Sequence, residues 1–177
     1  MQLSRRQRYY DTGRFPEVEA IREHWQTIRD EARVTFGALE ERLVPILGPS
    51  YVLPLIPEAE DKNVVADVLY EEARRLSPQT TERLLQIPYV VAFAYSRLVP
   101  GKHIAPHEHW NPYLVAILCL EGAEGCHIIV GGERRDFHDG EMLVFDYTLT
   151  HESKNEGTAP RHALLVVMDP RKARATR

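Results

Sequence analysis

Val90-Val-Ala-Phe-Ala-Tyr-Ser-Arg-Leu-Val-Pro-Gly-Lys-His-Ile-Ala-Pro-His107 decides how this chain is read. An apolar, aromatic run meets a Pro-Gly pair, then resumes as a short extended segment that closes on a histidine. Pro100-Gly101 is turn chemistry, because proline presets its own φ and glycine accepts a positive one. The same texture continues from about Tyr89, with β-branched and aromatic runs punctuated by Gly, Pro and Asn. It predicts strands at Val90–Arg97, Leu114–Leu120, His127–Val130, Met142–Phe145 and His162–Met168. Gly131-Gly132 reads as a hairpin turn into Glu133–Phe137. Such a series closes as a jelly-roll or barrel.

Working outward toward the N-terminus, the periodicity changes. From Pro16, apolar residues fall at Val18, Ile21, Trp25, Ile28 and Ala32, the stripe of an amphipathic helix. Asn63 is placed to cap a second helix running through Val64, Val65, Val68 and Leu69 to about Leu76. Ser77-Pro78 reads as the N-cap and first residue of a short helix ending near Gln86. Gly48–Pro57 carries three prolines and is expected to be a loop or edge segment rather than a central strand.

The expected architecture is mainly β. It is a double-stranded β-helix of the jelly-roll, cupin-like kind, with N-terminal α-helices packed on it. At 177 residues it is expected to be one domain, with a helical layer and loops over 1–88, a jelly-roll core over 89–170 and a solvated basic tail over 171–177. The net charge of −4 gives no pull toward nucleic acid or anionic membrane. No apolar run approaches the roughly 20 residues of a membrane span, and the charged N-terminus lacks the apolar stretch of a signal peptide. Cys119 and Cys126 are too few for a secreted disulfide scaffold and are expected to be buried free thiols in a reducing cytoplasm.

Chemistry concentrates in two histidines and an arginine. His107 closes the opening stretch. His151 lies in Gly140-Glu-Met-Leu-Val-Phe-Asp-Tyr-Thr-Leu-Thr-His151-Glu-Ser-Lys-Asn155. Arg161 follows ten residues later, ahead of an apolar run. Iron(II) of the oxygenase kind wants neutral imidazole and leaves adjacent positions open, and a planar guanidinium clamps a carboxylate. Facing strands of a jelly-roll bring such distant residues together at the barrel mouth. Around them, Asp146 is expected to fix the loop presenting His151, Asn155 to satisfy a turn, and Glu108 to be solvated. Trp110 and Tyr113 either line the pocket or pack in the core.

These motifs carry a resemblance. From roughly Ser77 to Pro170 the chain resembles the aspartyl/asparaginyl β-hydroxylase family of iron(II)/2-oxoglutarate-dependent oxygenases. The matching pieces are Ser77-Pro-Gln-Thr80, Ser96-x-Leu-x-Pro-Gly-x-x-Ile-x-Pro-His107, Gly-Glu-x-Leu-Val-Phe-Asp146, His151-Glu-x-x-Asn155 and Arg161. The resemblance implies that His107 and His151 bind iron. It also implies that Arg161 holds the distal carboxylate of the cosubstrate 2-oxoglutarate, with the Ser96 hydroxyl assisting. The implied reaction uses dioxygen, converts 2-oxoglutarate to succinate and CO2, and hydroxylates a C–H bond of an amino-acid, peptide or small-molecule substrate. The resemblance is silent on oligomeric state.

Two departures keep alternatives open. The usual carboxylate two residues after the first histidine is commonly missing in this family, and here His109 holds that place, so a third imidazole ligand is in play. That admits a cupin-type three-histidine dioxygenase using no 2-oxoglutarate, or a non-catalytic ligand-binding barrel. Between Asn111 and Leu120 there is no Arg, Lys or His, so basic residues that would grip a substrate carboxylate are missing from that strand.

Overall fold

The computed structural model describes residues 7–43, 45–47, 50–56 and 67–175. Eleven strands are seen among them: β1 Tyr9–Tyr10, β2 Pro45–Leu47, β3 Ser50–Ile56, β4 Val90–Leu98, β5 His103–His107, β6 Leu114–Glu121, β7 Cys126–Val130, β8 Glu133–Asp136, β9 Met142–Asp146, β10 His151–Asn155 and β11 Arg161–Met168. The helices are α1 Pro16–Ile21, α2 Trp25–Leu39, α3 Asp67–Leu76, α4 Pro78–Leu85 and α5 Pro170–Ala175. All pairings are antiparallel. One sheet runs β1-β9-β6-β11-β4-β3-β2 and the other β5-β10-β7-β8. This is the expected jelly-roll, mainly β with helices laid on one side.

The large sheet is buried on both faces, which explains why β6 reads as an unbroken apolar run. Leu114, Ala116, Leu118 and Leu120 join Val18, Ile28, Phe36 and Leu39 in the core beneath the helices. Val115, Ile117 and Cys119 join Ile128, Val130 and Phe145 in the core between the sheets. β11 divides the same way, with Leu164, Val166 and Met168 toward the helices and Ala163 and Val167 toward the second sheet. A strand buried on both faces loses its alternation of polar and apolar residues.

The expected helical stripe is present, broken by a 3₁₀ turn at Arg22–His24 between α1 and α2. Gly131 and Gly132 have φ of 52° and 81°, as a two-residue hairpin turn requires. One expectation needs correction and three gain detail. Ser50–Ile56 takes the edge-segment form of the two expected, as a strand next to the sheet margin. Pro54 is accommodated because β2 pairs with β3 only near Tyr51 and Ser50, leaving Pro54 paired on one side, to Ala94. The first 88 residues are therefore not only helices and loops, since β1, β2 and β3 extend the large sheet. The basic tail carries α5 as far as Ala175, with Arg171 and Lys172 exposed to solvent. Ser77 and Pro78 take the expected N-cap and first positions of α4, which ends at Leu85, although the Ser77 side chain makes no capping bond. The Glu31 carboxylate on α2 accepts from Gln79 N–H, Thr80 N–H and Thr80 Oγ1–H at 2.9, 2.9 and 2.7 Å, capping α4 from another element. Ser77 Oγ instead meets Thr35 Oγ1 at 2.8 Å. Asn63, Val64 and Val65 lie outside the described residues. Among the described residues no helix is long and apolar enough to cross a membrane.

Two contacts hold sheet ends and layers in register. Gly122, at φ +75°, lies where an added Cβ would come within 2.1 Å of the Pro160 carbonyl oxygen, one residue before β11 begins. Gly122→Ala is expected to cost about 3 kcal/mol or more in urea unfolding, from backbone strain plus clash; a loss of a few tenths would show the loop yields. His162 on β11 packs against Phe36 of α2 and meets Glu121 at 2.9 Å. Burial, against the pull of Glu121, lowers its pKa from the ordinary value of 6.5. The unfolded chain then binds this proton more readily, so stability present above about pH 6.5 falls as the medium is acidified. His162→Gln is expected to lose less stability than wild type between about pH 7 and pH 5. Parallel slopes would rule out this contribution.

Candidate metal centre and anion cleft

The small sheet sets the geometry. β10 pairs with β5 so that His151 lies directly opposite His107, and their ring centroids are 4.3 Å apart. His109, two residues past the end of β5, brings a third ring to 5.4 Å from His107 and 5.7 Å from His151. One nitrogen from each ring lies within 4.8 Å of the others. No other such group of three metal-binding side chains is found among the described residues.

The tautomers follow from hydrogen bonding. His107 Nδ1 lies 2.9 Å from the Ala105 carbonyl and His151 Nδ1 2.7 Å from the Leu149 carbonyl. A carbonyl only accepts, so both Nδ1 atoms carry hydrogen and both Nε2 atoms present lone pairs. Burial pulls the pKa of His109 and of His151 down to about 4, with neighbouring imidazole charge adding to the effect. Neutral imidazole is the form that ligates metal. His109 Nε2 is buried with no hydrogen-bond partner among the described residues, a state that costs about 1–3 kcal/mol if nothing fills it. Three converging rings, one with an orphaned nitrogen, fit a divalent metal of the imidazole-loving kind.

From this cluster a cleft of about 600 Å³, its open mouth included, runs inward between the sheets. His107, His151 and Tyr147 line it together with Ser96, Ser153 and Arg161. The remaining wall is largely apolar, including Val115, Ile117, Ile128, Phe145 and Leu165. Arg161 is 2% exposed. Its Nη1 donates to Ser153 Oγ at 2.8 Å, its Cζ lies 4.7 Å from the Phe137 ring centroid, and its Nε has no partner among the described residues. Burial pushes its pKa down, and the groups that oppose this are the thiols of Cys119 and Cys126 rather than any carboxylate. A buried cation without a counter-anion costs several kcal/mol, a cost that an anion entering the cleft would offset.

The spacing suits a short dicarboxylate. His151, Ser153 and Asn155 share the buried face of β10, and each step along that face is roughly 6.6 Å. One end of the cleft therefore carries the imidazoles and the next level carries the Ser153–Arg161 pair. Ser96 stands in the cleft wall on β4, in register with Ala163.

Sequence reasoning missed Ser153 and Tyr147. Ser153 was detectable, since strand alternation places it on the side of His151. Tyr147, stacked on His109 at 3.6 Å, left no signal. Asn155 satisfies a turn: Nδ2 donates to the Leu98 and Ala159 carbonyls, and Oδ1 accepts from Gly157 N–H. Asp146 Oδ1 accepts from Thr148 N–H and Oγ1–H in the turn before His151. Glu108 is exposed, with Oε2 3.4 Å from Thr150 Oγ1. Trp110, expected in the pocket or core, is in neither and is 95% exposed. Tyr113 packs partly buried against the inter-sheet core. Both cysteines are buried and free.

Part of the chain is similar in sequence to known proteins. The family described as Aspartyl/Asparaginyl beta-hydroxylase matches residues 64–170. The aspartate beta-hydroxylase domain-containing protein 2 of Rattus norvegicus is 37% identical over 76 residues, 41% of this chain and 22% of that protein. The aspartyl/asparaginyl beta-hydroxylase of Homo sapiens is 23% identical over 175 residues, 88% of this chain and 21% of that protein. The chain thus spans about a fifth of the length of the curated relatives it matches. Among solved structures, the Schizosaccharomyces pombe Cnp3 cupin domain is similar with a TM-score of 0.48 at 10% identity, covering 76% of this chain and 73% of that one.

The uncompensated guanidinium has a measurable consequence. Arg161→Met keeps much of the volume and removes the buried charge, so the ligand-free variant is expected to be more stable than wild type by about 1–4 kcal/mol in urea unfolding. A loss of similar size would mean that the fold itself compensates the charge.

Proposed function

The chain belongs to the aspartyl/asparaginyl beta-hydroxylase family, and from that premise we propose that it is an iron(II)/2-oxoglutarate-dependent oxygenase. It hydroxylates a C–H bond of an amino-acid-like, peptide or small-molecule substrate and releases succinate and CO2. The observation that carries this reading is Arg161, a buried cation with no carboxylate partner among the described residues, in the same cleft as His107 and His151, beside which His109 converges. A three-histidine dioxygenase that uses no keto acid has no need of that charge.

His107 and His151 hold the metal through the Nε2 atoms that their Nδ1 hydrogen bonds leave free. Bound iron(II) supplies the centre at which the keto acid and dioxygen react. Arg161 takes the distal carboxylate, with Ser153 Oγ already fixing one arm of the guanidinium and the Ser96 hydroxyl facing the same space. The Ile117, Ile128 and Phe145 walls keep water from the reacting end and strengthen the charge interaction at the other. The protein thus contributes position and a dry cavity rather than acid/base groups. Arg161 is the single Arg or Lys among the cleft-lining residues. Once the cosubstrate occupies it, a substrate carboxylate finds no second cation in that wall. Two free buried thiols suit a reducing cytoplasm.

Anaerobic titration of the iron(II)-loaded protein with 2-oxoglutarate tests the proposal. The expected result is a visible charge-transfer band from the chelated keto acid, with the half-saturation point moved up on the order of 100-fold or more in Arg161→Met, the cost of losing a buried charged contact. Iron binding without a band would move the reading to a three-histidine dioxygenase. Absence of iron binding would leave a ligand-binding barrel.

A further inference from the structure

His109 lies beyond the last residue of β5, so no strand ladder holds it. Its ring is nonetheless fixed. His109 N–H donates to the Tyr147 carbonyl at 3.3 Å, and Tyr147 N–H donates to the Tyr113 carbonyl at 3.2 Å, lacing the loop after β5 to the loop after β9. The Tyr147 ring lies flat on His109, with centroids 3.6 Å apart and planes 16° apart. Tyr147 sits in a turn that is itself pinned, because the Asp146 carboxylate accepts both hydrogens offered by Thr148. The same turn supplies the Leu149 carbonyl that sets His151. One short turn therefore orients two of the three imidazoles.

We infer that Tyr147 is the positioning residue for a third metal ligand, His109, and that the Asp146–Thr150 turn is the outer support of a three-imidazole centre. This rests on the metal-centre reading above. An imidazole on a loop otherwise rotates within a broad χ2 well. A flat aromatic face on one side confines that rotation and keeps the ring's ligand nitrogen near the other two. Outer supports of this kind typically change metal affinity by about 10- to 100-fold when removed.

Cobalt(II) binding to the full chain provides the test, read by chelator competition and by the visible absorption of the bound ion. Tyr147→Phe keeps the stacked face and is expected to bind within about twofold of wild type with the same spectrum. Tyr147→Leu is expected to weaken binding about 10-fold and shift the spectrum. The decisive measurement is the double variant: Tyr147→Leu added to His109→Ala should weaken binding no further than His109→Ala alone. A full additional loss in the double variant, or wild-type affinity and spectrum in Tyr147→Leu, would overturn the assignment. If His109→Ala binds like wild type while His107→Ala is impaired, the third-ligand inference falls and the two-histidine centre stands. If wild type itself binds no cobalt, both fall.

Discussion

The antiparallel pairing of β10 with β5 is the constraint on which the site depends. It sets His151 opposite His107, two residues 44 positions apart that no local interaction brings together. A slip of one residue would turn His151 and Ser153 to the outer face and leave Arg161 without its hydroxyl partner. Register here is secured by β7 on the other side of β10, where five successive residues, His151 to Asn155, are paired. Ser153 strengthens the arrangement by accepting from Arg161 while its own hydroxyl donates to the His127 carbonyl. β10 therefore carries the His151 imidazole, the Ser153 support of Arg161 and the Asn155 turn anchor on one face, in that order.

The helical layer acts at a distance. It buries the outer face of the large sheet, so β4, β6 and β11 form a stiff backing for the cleft. Polar contacts fix how the layer sits. Glu31 caps α4, Tyr95 Oη on β4 donates to Thr80 Oγ1, and Arg33 of α2 pairs with Glu121 at the end of β6. These are long-range bonds between elements, and they determine the level at which β4 and β11 present Ser96 and Arg161. Function and stability then pull in opposite directions at one residue. The buried guanidinium that suits an anionic cosubstrate is a cost to the ligand-free fold.

Much of the fold was legible in the sequence because its signals are local. Gly131-Gly132 between two β-prone runs dictates a tight hairpin, and Val18, Ile21 and Ile28 mark one face of the N-terminal helices. Where local signals fell short, pairing or burial decided. Pro54 argued against a central strand, and the open flank of β3 beside it removes the penalty for its missing N–H. Ser77 has the right chemistry for a cap, but a carboxylate from α2 reaches the helix end first. Trp110 next to His109 suggested a pocket wall, but the inward positions of that loop go to His107 and His109, and the indole faces solvent.

By itself the sequence determined the antiparallel β-rich half, the positions of His107, His109, His151 and Arg161, and the family whose motifs they share. Those features rest on periodicity, turn residues and short spacings, all of which are written in neighbouring residues. Only the tertiary structure decided that the three imidazoles meet, that the Nδ1 atoms of His107 and His151 are spent on backbone carbonyls, and that Arg161 is sealed among Ser153, Phe137 and two thiols with no carboxylate partner among the described residues. Tyr147 belongs to this second group as well. Each of these is set by strand register and by desolvation, which act between residues far apart in the chain and leave no mark on the sequence around any one of them.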